Sequence, residues 1–278
     1  MQMMGVAAAA KADAGRQSIP PTSAYVFSKN STVAARCFLL VMGASFSTQK
    51  FLATPLTAQW KFPFVVNPRF CRRRVTTFAL SDNFWTHAID INGFAVREVD
   101  SGRVLFRVLP AVDGEPADGC TKWLLDEYGI PVAHLTAGNH VSAASYNVCL
   151  GKRRQPQSRV LTTLEIKFVP GRGEPLFAEI EDPHTGGKSR IGCHGMWRQR
   201  AAVLYLERGR GGRREAIAKV YRPSSGRLAK FGGNEYHVET AIGVDMALVL
   251  LICAAMDDAS AHFHKAHKHP LLGTSGIQ

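Results

Sequence analysis

Two clusters of cationic side chains carry the clearest chemistry in this 278-residue chain: Gly151-Lys152-Arg153-Arg154, and Arg208-Gly209-Arg210-Gly211-Gly212-Arg213-Arg214. Guanidinium and ammonium groups gathered on one loop can meet several oxygens of an anion at once. The glycines of the second cluster also let backbone N–H groups approach the same anion. Lys152, Arg153, Arg154, Arg208, Arg210, Arg213 and Arg214 are therefore the candidate anion-binding residues. The plainer reading is that charged loops keep a domain soluble. Near an anionic leaflet each Lys or Arg contributes about 1 kcal/mol, so the seven act together only if both loops open at the same end of the fold.

Other constellations are weaker. Asp182-Pro-His-Thr-Gly-Gly-Lys-Ser189 ends like a phosphate-binding loop. The first glycine position holds Asp182, however, and the residues after Ser189 read as strand where that motif needs a helix. Cys193-His194 pairs a thiol with a base, but neighbours on a strand point to opposite faces. His262, His264, His267 and His269 crowd a segment with no preset geometry for a metal. Neither paired carboxylates nor metal-ligand spacing stands out, so no catalytic group, metal or cofactor is expected. The six cysteines at 37, 71, 120, 149, 193 and 253 form no CxxC pair, which suits reduced thiols in the cytosol.

The net charge of +12 looks like a nucleic-acid signal until it is located. Ten Lys/Arg and one acid precede Asp82, whereas 22 basic and 21 acidic residues lie between Asp82 and Ser260. The basicity belongs to the N-terminal part, and a near-neutral domain argues against nucleic acid as a partner.

These loops must be carried by strands. Val160, Thr162, Leu164, Ile166 and Phe168 form one face of a period-two run, with Leu161, Thr163, Glu165 and Lys167 on the other. Turn residues Asp100-Ser-Gly102 and Asp126-Glu-Tyr-Gly129 punctuate similar runs at 94–99, 104–109, 123–125 and 130–135. Further strands are expected at 84–91, 146–150, 177–181, 190–197, 202–207, 215–222 and 235–241. About twelve strands thus precede one helix expected over Val244 to Asp258, in which Met246 to Met256 are all apolar.

A helix without a polar face must be surrounded on every side. Fifteen residues span roughly 22 Å, short of the ~30 Å hydrocarbon layer. Asp245 suits the helix N-terminus, and Asp257 with Asp258 reads as a solvated exit from a core. Many consecutive strands close to remove their edges, and a barrel of about twelve strands is too wide for its own side chains to fill. The expected fold is mainly β: a closed antiparallel barrel of about twelve strands around a central hydrophobic C-terminal α-helix. The alternative is a membrane protein in which that helix inserts.

Four segments in register resemble the LURP-one-related family: Phe64-Val-Val-Asn-Pro-Arg-Phe-Cys71, Phe94 to Val108, Leu124-Leu-Asp-Glu-Tyr-Gly-Ile-Pro-Val-Ala133, and the strand at 235–241 followed by Gly243-Val-Asp-Met-Ala-Leu248. The resemblance implies the Tubby C-terminal-like fold, shared with Tubby and phospholipid scramblases, over residues 62–260. It also implies a non-enzymatic binding or scaffold module, with phosphoinositides or other anionic lipids as partners. Its alternative is a scramblase-like membrane protein. Arg72-Arg-Arg74 departs from the plant pattern, which is apolar there. Residues 1–58 read as a disordered basic tail or an organellar transit-like segment, and 261–278 as a disordered His-rich tail. The expected location is cytoplasmic, peripheral at membranes, or organellar if the N-terminal segment is a transit peptide.

Overall fold

The computed structural model describes residues 52–62, 66–87, 93–110, 122–137, 144–150, 159–167, 176–181, 186–209, 211–223 and 234–268, all within one compact unit. Twelve antiparallel strands close into a barrel: β1 Thr76–Ser81, β2 Phe94–Glu98, β3 Val104–Pro110, β4 Lys122–Asp126, β5 Pro131–Ala137, β6 Ala144–Leu150, β7 Arg159–Ile166, β8 Leu176–Glu181, β9 Lys188–Met196, β10 Ala201–Arg208, β11 Arg214–Tyr221 and β12 Glu235–Thr240. Each pairs with its sequence neighbours, and β1 with β12 closes the ring in register from Thr76↔Thr240 to Ser81↔Glu235. Hydrophobic alternation drives the inward face: along β7, Thr162, Leu164 and Ile166 are buried while Arg159 and Val160 are exposed.

A short helix, α1, spans Phe84–His87 where the sequence reads as strand, and β1 supplies the twelfth strand instead. Phe84 and Trp85 alternate less than their β-rich neighbourhood suggests, because both side chains turn into the core. The long helix α2, Met246–Lys268, fills the barrel. Met246 to Met256 are almost wholly buried in one cluster with side chains of every strand. Each buried Leu or Ile there contributes about 1.5–3 kcal/mol. Its 23 residues exceed the fifteen expected, reaching roughly 34 Å, and carry helix past Ser260 into the His-rich segment. Met246–Phe263 is long and apolar enough to cross a membrane by length and composition, yet 72% of that window is buried inside the protein.

Alternating strand direction gives the barrel two distinct mouths. Around the first residue of α2 lie the ends of β2, β4, β6, β8, β10 and β12 and the starts of β1, β3, β5, β7, β9 and β11. The other mouth surrounds the turn of α2 at Asp257.

Asp257 is not a solvated exit. It is buried and accepts from the Trp197 indole N–H at 2.9 Å, Arg200 Nη1 at 2.5 Å and the Tyr236 hydroxyl at 3.0 Å. Asp258 accepts from the Tyr146 hydroxyl at 2.7 Å. Because α2 continues to Lys268, the two carboxylates stand well before its C-terminus, and these hydrogen bonds with the Arg200 charge offset the cost of burying Asp257.

Candidate functional site

The mouth around the start of α2 is organised by one carboxylate. Asp245 Oδ1 caps the helix by accepting from Ala247 N at 3.1 Å and Leu248 N at 3.3 Å. Its Oδ2 accepts from Val66 N at 2.8 Å and Asn67 N at 3.3 Å, tying an otherwise separate segment to the helix. Asn67 in turn caps the 3-10 turn Pro68–Phe70, which sets Arg69 outward, and Cys71 bridges back to Asp245. Burial pushes the Asp245 carboxyl up to about 6, against the four backbone N–H groups that hold it down. Burial, with Asp245 nearby, also pushes the Cys71 thiol up to about 12, which removes it as a nucleophile at neutral pH.

A strap of residues 52–62 reaches the same mouth, so these residues are not all free tail. Thr57 N donates to the Ala216 carbonyl at 2.8 Å and Gln59 N to the Ile242 carbonyl at 2.7 Å. The strap is thereby tied to β11 near its start and to the residues just after β12. Gly243 permits the approach: its φ is 79°, and a Cβ there would stand 2.0 Å from the Gln59 carbonyl oxygen. The strap ends in Trp60 and Lys61 at the rim.

The expected loop arginines are less free than their number suggests. Arg208 Nη2 donates to Gln59 Oε1 at 2.7 Å and its Nε lies 3.7 Å from Glu215. Arg214 pairs with Glu207 at 3.4 Å and stacks over the Tyr205 ring. Arg213 is exposed and has no partner among the described residues. Lys152, Arg153, Arg154 and Arg210 lie outside the described residues, but Leu150 and Arg159, which flank the first cluster, end and start strands at this mouth, as Arg208 and Arg214 do. Both basic clusters are therefore flanked by strand ends of one mouth.

Other cations gather there. The side chains of Lys61, Arg72 and Arg73 have no partner among the described residues, although the Arg72 carbonyl accepts from Gly243 N at 2.7 Å. Arg69 pairs with Asp126 at 2.8 Å and lies over the Phe70 ring, while Arg74 pairs with Glu98 at 2.5 Å. A cavity of about 140 Å³ opens beside them, lined by Arg69, Arg72 and Tyr128 and by Phe70, Phe106 and Met246. The profile of LURP-one-related proteins matches residues 76–257, all twelve strands of the barrel and about the first half of α2. The chain belongs to the LURP-one-related family. The crystal structure of a protein from Arabidopsis thaliana is similar at 19% sequence identity and a TM-score of 0.47, covering 72% of this chain and 99% of that one. No curated protein matches the chain.

In this LURP-one-related protein the phosphate-loop likeness dissolves: Lys188 and Ser189 open strand β9, not a helix. Cys193 is buried and His194 exposed, as neighbours on a strand must be. Sequence reasoning passed over Arg72 and Arg73 as site residues. The signal was present in their unbroken run before β1, in a stretch with few acids.

Proposed function

We propose that this LURP-one-related protein is a non-enzymatic binding module that docks on anionic membranes, phosphoinositide-bearing ones included, with the mouth around the start of α2. The observation that carries the reading is the convergence there of Lys61, Arg72, Arg73 and Arg213, whose side chains have no partner among the described residues, with strand ends that flank both basic clusters. Four such cations near an anionic leaflet contribute about 4 kcal/mol at low salt, enough for reversible attachment and sensitive to screening.

Insertion of α2 is the competing reading. It would strip the barrel of the side chains that fill it, from Met246 to Met256, at a cost of tens of kcal/mol by area. Their burial supports a peripheral attachment.

Co-sedimentation with phosphatidylserine-containing vesicles tests the reading. Binding that fails with phosphatidylcholine alone, falls with salt and drops in Arg72→Ala/Arg73→Ala/Arg213→Ala supports it. Equal binding by the triple variant overturns it. Carbonate extraction separates the alternatives, because a peripheral barrel is released and an inserted helix stays in the pellet.

A further inference from the structure

The five large apolar side chains that are exposed among the described residues are Trp60 at 80%, Tyr128 at 76%, Ile130 at 52%, Val160 at 51% and Val75 at 44%. A single exposed apolar residue needs no explanation, but their placement does. All five stand at the same mouth. Trp60 ends the strap beside Ile242, just after β12; Val75 precedes β1; Tyr128 and Ile130 form the β4–β5 turn; and Val160 is the second residue of β7.

These positions are held by the fold. The Asp126 side chain accepts from Tyr128 N at 3.0 Å and Ile130 N at 2.8 Å, which fixes the turn and leaves both side chains outward. Asp126 is itself held by Arg69. The Gln59 side chain, buried between Arg208 and Glu215, anchors the strap one residue before Trp60.

Apolar tips interleaved with Lys61, Arg72, Arg73 and Arg213 match one chemistry above others. Indole and phenol rings sit at the boundary between headgroups and acyl chains, while Lys and Arg stay among phosphates. An acidic protein surface would satisfy the cations and leave five apolar groups without an apolar partner.

We infer that the mouth does more than rest on an anionic surface: Trp60, Tyr128 and Ile130 enter the headgroup layer of the bilayer, with Val75 and Val160 at its edge. This inference rests on the membrane reading above and adds an apolar, salt-resistant component to it. It also explains why a packed strap delivers a tryptophan to the rim.

The chain reports on itself. Of its four tryptophans, Trp85, Trp123 and Trp197 are buried, so a change in exposed emission belongs to Trp60. On addition of phosphatidylcholine vesicles containing phosphatidylserine, emission is expected to shift to the blue and to be quenched by lipids brominated near the headgroup. Trp60→Ala is expected to lose the shift and to weaken binding at least about fivefold, with the unfolding midpoint unchanged. Tyr128→Ser serves as an independent second variant with the same weakening. If vesicles bind but Trp60 emission stays unchanged and both variants bind as well as wild type, insertion is overturned and attachment by charge alone stands. If no anionic vesicle binds, the membrane reading falls with it. A shift produced by soluble polyglutamate and not by vesicles assigns the mouth to an acidic protein and overturns insertion.

Discussion

Arg200 reaches Asp257 across the mouth where the core helix turns polar, with Nη1 2.5 Å from Oδ1, and does so from a left-handed backbone position at φ 53°. A non-glycine residue in that region carries strain. Arg200 also holds Asp82, whose other oxygen takes Arg222 at 2.7 Å, and it lies over the Tyr236 ring. Helix, 3-10 turn, β12 and the end of β1 are thereby joined by one charge network.

Breaking this pair leaves an uncompensated buried charge. Asp257→Ala is expected to cost about 3–5 kcal/mol in urea unfolding. Replacing both groups by apolar residues, Arg200→Met with Asp257→Leu, is expected to cost less than the sum of the single changes. Strict additivity would mean the two do not act as a pair.

Asp245 gives the stability a pH dependence of defined sign. Its folded-state value, about 6, lies above the unfolded carboxyl value near 3.9. Its stabilising contribution is complete below about pH 4 and is lost as pH rises through about 6, a change of roughly 3 kcal/mol at most. Asp245→Asn replaces one acceptor oxygen by an NH2 donor that faces two backbone N–H groups and is less stable overall, but the gap between it and wild type is expected to widen as pH falls from 7 to about 4. A gap independent of pH contradicts the assignment.

Gly243→Ala places a methyl group against the Gln59 carbonyl at a positive φ. The strap must then move, at a cost of about 1–3 kcal/mol. Limited proteolysis is expected to cut the variant within residues 52–62 faster than wild type while the barrel remains resistant.

Much of this architecture was legible from periodicity. The alternation of Val160 to Ile166 and the turn at Asp126 to Gly129 placed β7 and the β4–β5 hairpin closely, because both signals are local. The twelfth strand, Thr76–Ser81, escaped although Phe78 and Leu80 alternate with smaller neighbours, since Phe84 onward offered a stronger apolar run. The helix was cut short because its apolar run stops at Met256. Beyond it only one face stays in the core, through Ala259. The partner of Asp257 lies 57 residues away, and no local pattern announces a pairing at that separation. At the site, arginines were visible as charges but not as pairs. The register that sets Glu207 opposite Arg214 across the hairpin spends one of them on a neighbour.

On the proposed membrane reading, the Arg72 and Arg73 side chains serve docking and not folding. Arg72→Ala/Arg73→Ala is expected to unfold within about 0.5 kcal/mol of wild type while losing on the order of tenfold in affinity for anionic vesicles at low salt. A loss of stability comparable with the loss of binding would make these residues structural.

The central claim, that the mouth at the start of α2 faces the membrane while the helix remains a core, is tested most directly by amide hydrogen exchange with and without phosphatidylserine-containing vesicles. Slower exchange is predicted at residues 57–61, 69–75 and 127–130, with no change at 197–200 on the opposite mouth or in α2. Protection at 197–200 instead, or faster exchange within Met246 to Met256 on binding, would contradict it.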